Sequence, residues 1–395
     1  MKLKIGNREI NWPNALYLVL TPFAAVIGMI WWIKSGSFNW NTVILACLLY
    51  LFCQISITAG YHRLFSHRSY NAVWPVRLFF LIFGAAAFEG SAMHWSLDHR
   101  NHHNYVDQNE RDPYSINKGF FWAHMGWLLF KQNDQVYSEE NTKSGDLYSD
   151  KLVVWQLHNW VWVGVVVTFV VPTIIGLAWG DALGAMVVAG LVRSVLNHHA
   201  TFLINSLSHC VGKQTYSDKH TARDNLFTAF LTCGEGYHNY HHEFPSDYRN
   251  GVRAWDWDPT KWVIKGLSLV KMTTDLKTIH EEIILRKRTH MREKRLHKKL
   301  AGSSFKFFGS TQAQILESLK MKYEKSYQQL AELRMKLQTL STKYQNKKQA
   351  QENKSFVKLE LDVLKEQVAQ AKYDFQKSVK DWNIMRKRIL AYAKS

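Results

Sequence analysis

TVILACLLYLFCQISITAGYHRLFSH, residues 42–67, joins an apolar run to a pair of histidines. Residues 42–60 carry no charge and approach the ~20 residues that a helix needs to cross the hydrocarbon core of a bilayer. A run at about 15–33 precedes them across the short segment 34–41, so the two form an antiparallel pair. A second pair, about 152–179 and 182–206, has almost nothing between its members. Four spans return the chain to the side on which it began. Lys2, Lys4, Arg8, the Arg-bearing segment 62–151 and the basic tail share that side, whereas the turns hold little beyond Lys34, which marks the shared side as cytoplasmic. Residues 78–93 are apolar but short and include Glu89, which predicts an interfacial or re-entrant segment; a fifth span would send the histidine groups to opposite faces.

The mean hydropathy of -0.25 averages two unlike parts. From Lys261 onward 31 Lys and Arg stand against 13 Asp and Glu, while before it the two are equal at 19, so the whole formal charge of +18 belongs to the last third. The basic start at Lys2 and Lys4 runs into an apolar stretch too long for a signal peptide and without a small-residue cleavage site, which predicts a first span. Cys47, Cys53, Cys210 and Cys233 show no C-x-x-C spacing and read as reduced, structural thiols.

After Pro259 there is no proline and after Gly309 no glycine, so long helices are permitted. Leu316, Leu319, Tyr323, Ser326, Leu330, Leu333, Leu337, Leu340 and Tyr344 alternate by three and four, and a shifted run from Val357 to Ile389 does the same. This heptad pattern predicts a coiled coil broken near 345–355, formed either as a hairpin or between chains. The expected organisation is a membrane domain over 1–275, a basic juxtamembrane segment over 276–309 and a coiled-coil tail over 310–395. Eight Lys and Arg in RKRTHMREKRLHKK, residues 286–299, predict attraction to an anionic membrane surface at about 1 kcal/mol each. No nucleic-acid partner is expected.

Of 18 histidines, nine fall into four groups: His62 and His67; His99, His102 and His103; His209; and His238, His241 and His242. Residues at i, i+3 and i+4 share a helical face, so each H-x-x-H-H can aim three imidazoles at one point. Five residues of α-helix turn a side chain by roughly 140°, so His62 and His67 converge only where the helix ends or distorts. Neutral imidazole suits iron, zinc or copper, and nine ligands exceed the sphere of one ion, which implies two metals. Structural zinc usually takes four ligands with cysteine prominent, so iron is expected. Asp98, Asp112, Glu235 and Asp247 are candidates to orient imidazole N–H groups.

These motifs resemble the membrane fatty acyl desaturases of the stearoyl-CoA desaturase type. The resemblance runs from about 49 to 263, through TAGYHRLFSH, DHRNHH, DPY, GFFWAHMGWLL, INSLSH, GEGYHNYHH and FPSDYRNG followed by PTKW. It implies an O₂-dependent enzyme that places a cis double bond, typically Δ9, in a saturated long-chain acyl thioester or lipid. Two electrons would come from an outside carrier of the cytochrome b5, ferredoxin or rubredoxin type, since no haem-binding HPGG is present. By that resemblance His62, His67, His99, His103 and His241 hold one iron, His102, His209, His238 and His242 hold the other, and Asn205 reaches the second through water.

Candidate substrate residues are Tyr50, Gln54, Trp95, Asp98 and Lys131, the last placed where it could meet a phosphate. Tyr50, Gln54 and Ile57 share one helical face, with the first two roughly 18 and 12 Å deeper than His62. The resemblance puts Tyr50 near the closed end of an acyl tunnel. Two positions depart from the family: Gln54 replaces a small residue, and Leu97 stands where animal acyl-CoA enzymes carry arginine, which leaves CoA, phospholipid and acyl-carrier protein open as acyl carriers. The expected fold is all-α: a four-span transmembrane bundle with a cytosolic helical cap holding a di-iron site, plus a C-terminal coiled coil. A hydroxylase of the same superfamily and a coiled-coil scaffold with a relic metal site are the alternatives, and the desaturase-like NSLSH and GEGYHNYHH argue against the first.

Overall fold

Each membrane span begins at an Asn or Asp whose side chain accepts from the first turn of the helix: Asn11, Asn39, Asp150 and Asp181. Such caps satisfy backbone N–H groups that have no intrahelical partner. The structure, a computed structural model, describes residues 4, 5, 8–131, 144–302, 310–350, 353 and 355–392. It is helical almost throughout and divides into two compact units, Met1–Ile279 and His280–Ser395.

Among the described residues of the first unit four helices are long and apolar enough to cross a membrane: α1 (Trp12–Lys34), α2 (Trp40–Ser66), and, after α3 (Trp74–Ala85) and α4 (Ala92–Tyr105), α5 (Lys151–Leu177) and α6 (Ala182–Cys210). At 1.5 Å per residue all four exceed the ~30 Å hydrocarbon thickness. The excess at the ends of α2 and α6 is where His62 and His209 stand. The opposite ends are tied through Asp181, which accepts from Trp32 Nε1 of α1 at 3.0 Å and Thr42 Oγ1 of α2 at 2.6 Å.

The α3 helix has 12 residues, about 18 Å of rise, and cannot span. It lies against α2 closely enough that a Cβ at Gly60 would stand 2.5 Å from Phe80 Cβ, the kind of approach that small residues allow between helices in lipid. A carbonyl past its end is met by two side chains of the spans: Arg193 Nη1 donates to Ala86 O at 2.7 Å, and Thr168 Oγ1 to the same oxygen at 3.0 Å. This is the short apolar segment expected between the two pairs of spans. Two further helices complete the part of this unit that matters below, α7 (His238–Glu243) and α8 (Pro259–Leu269).

In the second unit α9 (Glu281–Gly302), α10 (Ser310–Gln349) and α11 (Ser355–Tyr392) share one core. Tyr323 meets Trp382 and Tyr327 meets Phe375, so α10 and α11 run antiparallel and the heptad seam closes within one chain. The basic stretch 286–299 lies in α9, whose Leu296 joins that core while Arg286 pairs with Glu324 at 2.9 Å. Phe375 and Trp382 are fully buried in this core. Phe375→Ala or Trp382→Ala should therefore destabilise the 280–395 segment by about 3–5 kcal/mol, read by circular dichroism during denaturant unfolding. The wild-type midpoint should not depend on protein concentration, and a midpoint that rises with concentration would show that the seam closes between chains.

Candidate metal centre

The α2 helix loosens before it ends. Residues 56–66 take π-helical i→i+5 hydrogen bonds, and the last of these turns closes with His67 N–H on His62 O at 3.1 Å. A wider turn makes five residues nearly a full revolution, so His62 and His67 fall on one side, with ring centroids 4.8 Å apart. Such π segments inside α-helices are frequent at functional sites. Arg100 of α4 secures the end by donating to Phe65 O at 2.7 Å and Ser66 O at 3.0 Å.

The two H-x-x-H-H motifs do not aim three rings at one point, as their spacing suggested. Positions i and i+4 differ by about 40° around a helix, while i+3 stands about 60° to the other side, so each motif straddles two targets. On α4, His99 and His103 face one group and His102 the other; on α7 the assignment is exchanged, with His241 in the first group and His238 and His242 in the second. The result is five imidazoles (His62, His67, His99, His103, His241) and four (His102, His209, His238, His242), in each case with the nearest ring nitrogens all within 4.8 Å of one another.

The nitrogens that converge are Nε2 atoms. In the first group His62 and His241 approach to 2.9 Å, His241 and His103 to 2.9 Å, and His67 and His99 to 2.8 Å. In the second, His209 and His238 lie at 3.0 Å, His238 and His242 at 3.1 Å, and His102 and His242 at 3.3 Å. The opposite nitrogens fix the tautomers. Glu235 Oε2 lies 2.8 Å from His62 Nδ1, and Asp112 Oδ1 lies 2.8 Å from His102 Nδ1. A carboxylate can only accept, so it favours the proton on Nδ1 in both rings; the His102 contact has hydrogen-bond geometry and the His62 contact is an electrostatic approach. Thr221 gives its hydroxyl proton to Asp107 at 2.7 Å and so accepts from His209 Nδ1 at 2.7 Å. The Nε2 atoms of these rings therefore present bare lone pairs to their neighbours. This donor set fits a pair of cations, one per group.

Burial holds His67, His99, His103, His238, His241 and His242 well below the usual imidazole range, and the neighbouring rings add to it. Those six rings are neutral at pH 7, the state that binds metal. Glu235 moves the opposite way to what its burial alone would give, because His62 and Arg63 beside it bring its carboxyl below the usual range.

Arg63 was not singled out by any motif, yet it ties the site together. Fully buried, it donates to Glu235 Oε1 at 2.9 Å, Asp258 Oδ1 at 3.0 Å and Tyr248 O at 2.8 Å. Asp258 in turn caps α8 through Lys261 N and accepts from Asn250 N and Gly251 N. Gly234, at φ +114, leaves the space into which Asp258 reaches: a Cβ there would stand 2.5 Å from Asp258 Oδ1. Of the four carboxylates expected to orient imidazoles, Asp112 and Glu235 do so. Asp247 instead holds Tyr240 Oη at 2.7 Å and Arg249, and Asp98 is half-buried on α4.

Trp95 stacks on His99 at 5.0 Å, and its Nε1 donates to Glu89 Oε2 at 3.2 Å. Glu89 also accepts from Thr201 Oγ1 at 2.8 Å, and burial pushes its carboxyl up to about 8. Deeper in α2, Tyr50 Oη donates to Leu231 O at 2.9 Å, and the buried Gln54 donates through Nε2 to Asn197 O of α6 at 3.4 Å. Asn205 lies half-buried one turn before His209 on the same helix. Lys131 is exposed and pairs with Glu9 at 2.6 Å, so a phosphate there would have to exchange that ion pair.

Four apolar spans with two histidine groups at their ends define a multi-pass membrane protein with a histidine-rich metal site. The sequence profile of the fatty acid desaturase family matches residues 38–265. The chain is 41% identical over 299 residues to acyl-CoA desaturase 1 of Saccharomyces cerevisiae, covering 75% of this chain and 57% of that protein. It is 39% identical over 280 residues to Delta(9)-fatty-acid desaturase fat-6 of Caenorhabditis elegans, covering 70% and 81%. With stearoyl-CoA desaturase 5 of Bos taurus it shares 34% over 284 residues, covering 71% and 83%. The chain belongs to the fatty acid desaturase family. It spans little more than half the length of the fungal relatives that it matches.

The lowered imidazoles set a pH dependence for the metal-free protein. Between their folded values and the ordinary 6.5 the unfolded chain binds more protons, so stability falls as pH drops through that window, by up to about 1.4 kcal/mol per pH unit for each ring. Chelator-treated protein in detergent should unfold at a lower temperature at pH 5.5 than at pH 7.5. An equal or higher midpoint at pH 5.5 would mean that the rings are not held neutral.

Proposed function

We propose that the chain is an O₂-dependent fatty acyl desaturase that introduces a cis double bond, at Δ9, into a saturated long-chain acyl thioester or lipid. The observation that carries this reading is the convergence of nine imidazole nitrogens on two points, in a member of this family. Two irons would occupy those points, the first on His62, His67, His99, His103 and His241, the second on His102, His209, His238 and His242, with Asn205 contributing through water. Bound there, two irons would supply the O₂-derived oxidant needed to take hydrogen from an unactivated CH₂, whose protons no side-chain base can remove.

The protein's own part is placement. Glu235, Asp112 and Thr221 keep Nε2 of His62, His102 and His209 unprotonated and aimed inward. Trp95, held by Glu89 and stacked on His99, would present a flat wall to the acyl chain. The reductant is an external carrier of the cytochrome b5, ferredoxin or rubredoxin type, the termini and metal site face the cytoplasm, and self-association through the tail would use outer helix faces because the seam is filled within the chain.

Expression in a desaturase-deficient host tests the reaction, with gas chromatography of membrane lipids as readout. New monoenes are expected, absent with His103→Ala or His241→Ala; hydroxy acids or an unchanged profile would overturn the reading. For chain length, Tyr50 and Gln54 lie on one face of α2 with Ile57, whose burial places that face inside the unit. Gln54→Ala or Tyr50→Ala should move preference toward longer acyl chains without moving the double bond, which is counted from the iron end. If both variants express normally with the wild-type chain-length profile, these residues only fill space between spans.

A further inference from the structure

The loop after α6 brings a tenth imidazole to the second histidine group. The ring of His220 lies 5.1 Å from that of His242, within the 4.4–5.4 Å range of the ring contacts in that group. Both of its ring nitrogens are buried, and neither has a hydrogen-bond partner among the described residues. A sheltered imidazole in that condition carries the desolvation cost of two bonds not made. The loop holds it there regardless. Its neighbour Thr221 is fastened by its N–H to Asp107 Oδ2 at 2.8 Å and by its hydroxyl to Asp107 Oδ1, and the same hydroxyl meets His209. On the other side Gln214 Nε2 donates to His220 O at 2.7 Å.

His220 is outside the set of nitrogens that lie within 4.8 Å of one another. It therefore stands beyond direct ligation but beside the four rings, where four imidazoles leave part of a metal's coordination sphere to solvent. We propose that His220 is a positioning residue for the second metal ion, hydrogen-bonding through a ring nitrogen to a water that the ion held by His102, His209, His238 and His242 carries. A neutral imidazole has one donor and one acceptor nitrogen, and either can meet a water. Partners of this kind, one bond outside the ligands, orient the coordination sphere and strengthen metal retention. The inference rests on the di-iron reading above.

The test uses full-length ⁵⁷Fe-loaded protein in detergent, comparing wild type with His220→Phe and His220→Gln. Readouts are iron content during a chelator challenge and the Mössbauer spectrum. In His220→Phe one of the two irons should be lost about ten-fold faster than in wild type, and one Mössbauer doublet should change while the other stays. His220→Gln, which keeps a donor and an acceptor, should recover much of the retention. Equal iron loss and unchanged doublets in both variants, with wild type holding two irons, would overturn the role of His220 and leave the metal centre standing. Wild type that binds no iron would overturn both. If the Phe variant fails to fold, His220→Leu takes its place as the variant that removes both hydrogen-bonding nitrogens, and the same outcomes support or overturn the role.

Discussion

Bare imidazole nitrogens brought within about 3 Å of one another repel, and cations at the points they share relieve that repulsion. Most of the first unit can be understood as the apparatus that brings them there. The four spans set the ends of α2 and α6 beside each other, and the π turn at 56–66 makes a helix that would have splayed His62 from His67 present both. The short α4 and α7 then share their H-x-x-H-H faces between the two points in opposite senses. Neutral rings are needed for this: burial favours them, and the fixed Nδ1 partners decide which nitrogen faces inward.

A buried guanidinium beside such a site would be costly if unpaired. Arg63 avoids that by engaging two carboxylates and a carbonyl, and the same carboxylates anchor His62 and the start of α8. The histidine pair on α2, GEGYHNYHH and the DPTKW segment are thus one electrostatic assembly, although they are separated by nearly two hundred residues. The same logic operates inside the spans, where Arg193 is met by Ala86 O, Ala189 O and Thr168 Oγ1. In both places a charge in a low-dielectric setting is tolerated because several fixed dipoles or charges face it.

The four spans were legible because length and lack of charge are local properties, and the expected limits differ from α1, α2, α5 and α6 by a few residues at the ends. The histidine groups were legible because imidazole is rare enough that nine at these spacings signify. What spacing alone did not disclose was how each triplet divides: an ideal helix puts i, i+3 and i+4 on one broad face, and only the position of the neighbouring elements splits it. Arg63, Thr221 and His220 were missed because their meaning lies in partners distant in sequence, and Asp247 was overvalued because its neighbour Arg249 and the Tyr240 hydroxyl claim it. In the tail the heptads announced a coil but left its pairing open. The complementary sizes of Tyr323, Tyr327, Phe375 and Trp382 close it within one chain.

Nine imidazoles converge on positions for two cations. Elemental analysis of the purified, untreated protein, quantified against amino-acid analysis and covering iron, zinc and copper together, addresses that directly. Two metal ions per chain is the result the geometry predicts, and iron, with the other metals in trace amounts, is what the proposed desaturase function predicts. Less than one metal ion per chain in folded, monodisperse protein, or a single ion with all nine imidazoles intact, would contradict it.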